Sequence, residues 1–363
     1  MTITEVRATD AASERHLIVK MAFGSMAAQT LRAAVRLKVF ELIGEAPRQV
    51  ADIAAEAGTE PQPMTRLLRA LAALGVLRQD SADFFSATPA GALLDPRHPR
   101  SLASFVRVFT DPVALRSWEH LDGSIRTGEV AFDEVFGTDF FSHLAQHPDL
   151  SAAFNAAMSQ TAGAAADALP YAYDFGRFTS VTDVGGGAGT LLASVLGAHP
   201  GLTGVVYDTV EGLAQASTTL RRQGLAERCA LASGDFFHSV PAGSDLYLIK
   251  SVLHDWPDDR AVTILRHCRE VLPAGGRVLI VEPVLPEAAD TDTDTDAQGH
   301  AADVGITYLS DLNMLVNVGG RERTRQDFEA VCHRAGLTVT SVTPLSEAAP
   351  YCLIEAEAET EGE

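Results

Sequence analysis

The spacing of apolar positions changes near residue 179, and the change separates two kinds of structure. Before it, apolar residues recur at three- and four-residue intervals, the period of helices that bury one face. Residues 1 to about 13 lack that periodicity and read as a loose tail. From His16 to Ile43 the helical period is sustained, and Met21 to Leu42 is apolar on more than one face, which a helix standing alone does not tolerate. Val50–Gly58 and Pro61–Leu74 read as helix, turn, helix, and Gly75–Arg78 and Asp83–Thr88 as two short strands. That order is the shape of a winged helix. Residues 100 to 165 are again mostly helical and rich in large apolar groups such as Trp118, Phe132, Phe140 and Phe154. Most of these are core; a subset suits a pocket for a flat molecule.

After residue 179, short apolar runs alternate with helical segments. Strands are expected at 180–184, 203–208, 228–233, 244–250 and 276–282, with a terminal pair near 337–343 and 350–356. Alternation of this length predicts an α/β domain with an open, mainly parallel sheet covered on both faces. Ligands of such sheets bind outside the carboxyl ends of the strands, so the strand ends are where chemistry is sought.

The first strand runs into Asp183-Val-Gly-Gly-Gly-Ala-Gly189. Glycines such as Gly185 and Gly187 let the backbone turn sharply and approach a ligand closely. A dinucleotide fingerprint starting at Gly185 requires a glycine where Thr190 stands, so that pattern fails. The turn suits a cofactor with no pyrophosphate and a positive charge, and S-adenosylmethionine fits. The second strand ends in Asp208, nineteen residues past Gly189, placed to accept two ribose hydroxyls. The third leads to Asp235 and Phe236, a carboxylate for an adenine amino group and an aromatic face for its ring. The fourth ends at Lys250, followed by His254, Asp255 and Trp256. The fifth ends in Glu282. His254 and Glu282 should therefore face one crevice. Histidine takes a proton near neutral pH, and a carboxylate on one ring nitrogen leaves the other free as a base for a phenol. Asp255 is placed to cap the helix that starts near Pro257. A metal site on His254 and Asp255 lacks a further histidine at helical spacing, and no metal is expected.

Composition narrows the reading. A net charge of −20 argues against a nucleic-acid partner, and the second helix of the winged-helix pattern offers only Arg66 and Arg69 as cations. A DNA-binding regulator is thus a weaker alternative than a dimerisation module. No apolar run is long enough to span a membrane. The first residues lack a secretory pattern, and the four cysteines are scattered without a C-x-x-C pair, so a reduced, cytoplasmic protein is expected. The acidic stretch 287–302 reads as a solvated loop or a lid; its Asp-Thr alternation lacks the glycine and glutamate of a calcium loop.

With these residues in hand, the chain resembles the plant-type small-molecule O-methyltransferases, and most of all actinobacterial members from aromatic natural-product pathways. The resemblance covers about residues 20 to 356. It rests on Asp183-Val-Gly-Gly-Gly-Ala-Gly189, Gly234-Asp-Phe-Phe237, Leu253-His-Asp-Trp-Pro257 and Gly319-Gly-Arg-Glu-Arg-Thr324. The chain departs from its relatives after Asp208, where Thr209-Val-Glu-Gly replaces a usual Leu-Pro. The resemblance implies metal-independent methyl transfer from S-adenosylmethionine to a phenolic hydroxyl, yielding S-adenosylhomocysteine, by a homodimer joined through its N-terminal domain. It implies His254 as base, with Glu282 and Glu322 flanking it. Asp183, Gly185, Gly187, Asp208, Asp235, Phe236, Lys250, Trp256 and Ser159 fall to the cofactor; Phe154, Met158, Asp255, Met314 and Asn317 to the substrate. The implied layout is a winged-helix-like dimerisation domain over 14–110, a helical linker and pocket segment over 111–165, and a Rossmann-like class I methyltransferase domain over 166–358. Relatives with changed chemistry, on carbon or nitrogen or with transfer replaced, form the alternative.

Overall fold

A computed structural model describes residues 3–287, 298–348 and 350–359. Most of the acidic stretch read as a loop or lid, residues 288–297, lies outside them. The chain forms two compact units, Met1–Pro112 and Val113–Glu363.

In the first unit, helix α1 (Ile3–Ala22) begins inside the stretch read as a loose tail. Residues 3–15 contain no Gly or Pro and are built largely of Glu, Arg, Ala and Thr; a helix polar all round carries no stripe to announce it. Next come α2 (Gly24–Arg36) and α3 (Val39–Ile43), separated at Lys38, which takes a left-handed φ of 57°. Then β1 (Arg48–Gln49), α4 (Val50–Ala57), α5 (Pro61–Ala73), β2 (Leu77–Gln79) and β3 (Phe84–Ala87) complete a winged helix, its small antiparallel sheet ordered β1-β3-β2. Helices α6 (Pro89–Ala92) and α7 (Ala103–Phe109) follow. Val39, Phe40, Ile53, Leu68, Leu71 and Phe85 form its core. In contrast, Leu17, Ile18, Met21, Phe23 and Met26 on and between α1 and α2 are exposed.

The second unit opens with helices α8 (Pro112–Trp118), α9 (Leu121–Thr127), α10 (Ala131–Phe136), α11 (Phe140–Gln146) and the long α12 (Pro148–Ala172). Alternation then sets in: β4 (Ser180–Val184), α13 (Thr190–Ala198), β5 (Thr203–Asp208), α14 (Ala216–Arg222), β6 (Cys229–Ser233), β7 (Leu246–Lys250), α15 (Asp258–Val271), β8 (Arg277–Leu285), α16 (Gln298–Asn317), β9 (Arg323–Thr324), α17 (Arg325–Arg334), β10 (Leu337–Pro344) and β11 (Tyr351–Ala358). The sheet order is β10-β11-β8-β7-β4-β5-β6, and β9 pairs with the end of β8. Strands β8 to β6 in that order are parallel, whereas β11 inserts antiparallel between β8 and β10.

Side chains of the central strands alternate between two cores. Leu246 and Leu248 pack with Leu169, Leu192 and Leu196 on one face; Tyr247 and Ile249 pack with Ile264, Leu265 and Phe328 on the other. Burial on both faces explains why these strands read as continuous apolar runs. Strand order reverses between β4 and β7, so the crevice of this sheet opens above their carboxyl ends. Among the described residues no helix is long and apolar enough to cross a membrane.

Candidate active site

Strand β4 delivers Asp183 and then the glycine turn, where Gly185, Gly187 and Gly189 all have positive φ. A Cβ on Gly185 would lie 2.6 Å from a methyl of Val252, so the turn after β4 is pressed against the loop after β7. Asp183 is 2% exposed and its Oδ2 has no hydrogen-bond partner. Burial, with Asp208 nearby, pushes its pKa up to about 7 against the pull of Lys250. Asp208, at the end of β5, accepts the Gly187 N–H at 2.8 Å and the Thr209 N–H at 2.7 Å; burial still holds its pKa above the ordinary value. Ser159 of α12 accepts from the Thr190 hydroxyl at 3.5 Å, beside the same turn. Asp235 is exposed and bonds its own turn, through Phe237 N–H and His238 Nδ1.

His254 lies in a single helical turn just past β7. Its Nδ1 is 3.0 Å from Glu322 Oε1. An ionised carboxylate only accepts, so Nδ1 carries the proton of this bond and Nε2 is the second ring nitrogen. Nε2 in turn lies 3.6 Å from Asp255 Oδ1. Burial works to lower the imidazole pKa, but Glu282, Glu322 and Asp255 together hold it well above the usual histidine range. Asp255 itself is pushed up to about 7, first by burial.

Two expectations from the sequence change here. Glu282, fully buried, does not bond the imidazole. Its Oε1 accepts the backbone N–H groups of Val252, Leu253 and His254 at 3.0, 2.7 and 3.4 Å, so it anchors the loop that carries His254. Burial raises its pKa, and Oε2 has no hydrogen-bond partner. The ring instead takes Glu322, from a loop sixty-eight residues on. Asp255 is likewise no helix cap: α15 starts at Asp258 with extended Pro257 at its N-cap, and the Asp255 carboxylate turns toward the histidine.

The loop bearing Glu322 is tied to the His254 loop at two points. A Cβ on Gly320 would fall 2.0 Å from the His254 carbonyl oxygen, so only glycine permits this approach. Arg323, completely buried, donates to the carbonyls of Leu253 and Trp256 at 2.7 and 2.8 Å and to Asp258 at 2.9 Å. Ser310 of α16 donates to Glu322 Oε1 at 2.7 Å, and Asp311 accepts the Glu322 N–H at 2.8 Å. Sequence reasoning missed both partners on α16; nothing in their local pattern distinguishes them. Arg323 stands inside the Gly-Gly-Arg-Glu-Arg-Thr motif, which was its signal.

Aromatic rings line the neighbourhood. Trp256 stacks on Phe141 at 5.3 Å and meets Phe237 edge-on at 4.6 Å, with Phe236 at 6.3 Å. Phe154 of α12 packs edge-on against Phe140. Met158 lies one turn further along α12 and is half-buried. Met314 and Asn317 are buried on α16, and Asn317 Oδ1 accepts from Ser117 at 2.6 Å while its amide donates to Asn313. His254, Glu282 and Glu322 each offer a ligand atom within 4.8 Å of the others, a set that two carboxylates rather than further histidines complete.

Residues 118–338 match the model of the O-methyltransferase domain, and residues 19–95 that of the O-methyltransferase dimerisation domain. The chain belongs to the O-methyltransferase family. It is accordingly an S-adenosylmethionine-dependent methyltransferase with a dimerisation domain at its N-terminal side. It is 43% identical to an O-demethylpuromycin-O-methyltransferase of Streptomyces alboniger over 93% of this chain and 88% of that one. The crystal structure of LaPhzM superposes with a TM-score of 0.86 at 33% identity, covering 95% of this chain and 99% of the other. An O-methyltransferase from neocarzinostatin biosynthesis, solved with S-adenosylmethionine and 2-hydroxy-5-methyl naphthoic acid, gives a TM-score of 0.73 at 32% identity, over 91% and 95%.

Proposed function

We propose that this methyltransferase methylates a phenolic hydroxyl of an aromatic natural-product intermediate, with His254 as general base. The observation that carries the reading is the bond between His254 Nδ1 and Glu322. It fixes the tautomer and leaves Nε2 as the proton acceptor. A phenol ionises near about 10, so it attacks well at neutral pH only as a base removes its proton.

The crevice suits a cationic cofactor. Asp183, Asp208, Asp255 and Glu282 are all held above their ordinary pKa, which marks negative charge that burial disfavours. A sulfonium with an ammonium group relieves that. When bound, S-adenosylmethionine supplies an electrophilic methyl group and departs as neutral S-adenosylhomocysteine. Asp208 would hold the ribose hydroxyls, Asp235 and Phe236 the adenine with Trp256 beside it, and the Gly185–Gly189 turn with Asp183, Lys250 and Ser159 the methionine end. Phe154, Met158, Met314 and Asn317 would border the acceptor ring, with Asp255 near its hydroxyl. Holding acceptor oxygen and methyl carbon in line contributes much of the rate.

We assign no metal to the reaction. Oε1 of Glu282 is engaged by backbone N–H groups, and Oε1 of Glu322 by His254 Nδ1 and Ser310, which leaves only the Oε2 atom of each glutamate unpartnered. Turnover is expected to survive dialysis against EDTA; loss restored by a divalent ion would overturn this. The exposed apolar residues of α1 and α2 support a homodimer.

The deciding experiment is mass spectrometry of the purified protein with S-adenosylmethionine and a pool of polyketide phenols and hydroxybenzoates. The expected product is heavier by one methylene and bears an O-methyl group. The His254→Ala variant is expected to bind cofactor but lose about 10²–10⁴ in turnover. Near-normal turnover of that variant would refute the base assignment, and a methylated nitrogen or carbon would refute the acceptor.

A further inference from the structure

Lys250, at the carboxyl end of β7, donates to Ser251 Oγ at 2.9 Å and to the Tyr351 hydroxyl at 3.1 Å. Ser251 donates to the same Tyr351 hydroxyl at 3.3 Å, closing a triangle. Tyr351 belongs to none of the motifs above. It reaches this place because β11 runs antiparallel to β8 with Tyr351 opposite Pro283, so the first residue of the last strand stands at the same sheet edge as Lys250.

Proton counting makes the triangle notable. An ammonium has three protons to donate, a serine one and a tyrosine one. Three internal contacts use at most three of these five. At least two donors of this half-buried group are left for something else, and a surplus of donors around a cation is complementary to an anion. Ser251 also holds a φ of +51°, which a non-glycine residue adopts at an energetic cost. Its backbone N–H is tied to the Val281 carbonyl, which keeps the hydroxyl in the triangle. The charge of Lys250 is felt at both Asp183 and Asp255, so the triangle borders the crevice.

On the cofactor reading above, adenine lies at the end of β6 and ribose at the end of β5. Sheet order then carries the methionine part across β4 toward β7, where Lys250 stands. The methionine carboxylate is the cofactor's only anion. We propose that Lys250, Ser251 and Tyr351 form the clamp for that carboxylate, with Tyr351 and Ser251 setting the position of the ammonium as well as donating to the ligand.

The test titrates S-adenosylhomocysteine and 5′-methylthioadenosine, which keeps adenosine and thioether but has no amino-acid part, into wild-type protein and Tyr351→Phe. The phenyl ring preserves packing and removes only the hydroxyl. Expected is a loss of about tenfold or more in affinity for S-adenosylhomocysteine, the scale of one hydrogen bond in a charged cluster, with 5′-methylthioadenosine unchanged. Ser251→Ala is expected to show the same selective loss and serves if the tyrosine variant does not fold. Equal weakening of both ligands, or of neither, would overturn the clamp. Wild-type protein that bound neither ligand would instead overturn the cofactor assignment on which the clamp rests.

Discussion

At the residue scale, the site contains more buried acid than its own cations offset. Asp183 and Asp255 are raised to about 7 and His254 is held well above its usual range. Without ligand, the imidazole therefore favours its protonated form and the two aspartates are only partly ionised near pH 7. An entering sulfonium favours ionised aspartates and a neutral imidazole. Both titrations make the site more negative as pH rises, so affinity for S-adenosylmethionine is expected to increase from pH 6 to pH 8, by up to about tenfold per unit for each group titrating. S-adenosylhomocysteine lacks the sulfonium charge and should change less. Calorimetry of both ligands at the two pH values checks the sign; a flat or falling profile for S-adenosylmethionine would show that these acids do not face it. On the proposed role of His254, the same coupling would favour the neutral, proton-accepting imidazole when the methyl donor is bound.

At the scale of elements, His254 and its carboxylate partner Glu322 sit on separate loops held in contact by Gly320 and Arg323. Gly320→Ala places a methyl group into the His254 carbonyl and must push the loops apart. A displacement near 1 Å costs about 10²-fold in rate, so turnover is expected to fall on that scale while cofactor affinity, to which the acids after β4, β5 and β6 would contribute away from these loops, falls less. Steady-state kinetics beside a binding titration separates the two; parallel loss would place the damage in the whole domain. The strands were legible because β4 to β8 are apolar runs bounded by polar or glycine turns, and their ends led to Asp183, Asp208, Lys250, His254 and Glu282. Which carboxylate meets the ring was not legible. Glu282 and Glu322 both arrive near His254, and only packing decides that one takes the backbone and the other the imidazole. The first part of helix α1, before His16, and the two-residue strands β1 and β9 escaped for a simpler reason: neither a polar stretch of helix nor two residues carry a period.

For the whole molecule, the dimerisation domain and its exposed apolar residues belong together. Met21 and Met26 are 69% and 59% exposed on α1 and α2, beside exposed Phe23. Charge at the centre of an apolar interface is strongly disfavoured. The double variant Met21→Glu, Met26→Glu is expected to shift the mass measured by light scattering from dimer to monomer; an unchanged mass would move the interface elsewhere. The architecture of the second unit has another consequence. On the proposed roles, His254, Glu282, Glu322 and the cofactor acids come from strand ends and the loops joined by Arg323, whereas Phe154, Met158, Met314 and Asn317 come from one side each of α12 and α16, helices that also bring Ser159 and Ser310 to the site. Most of the proposed chemistry thus falls on strand ends and loops, and most of the proposed recognition on two helices. On that reading, substitutions at these four positions would reshape the acceptor chamber and leave the strand-end acids in place, so one scaffold could serve a range of acceptors.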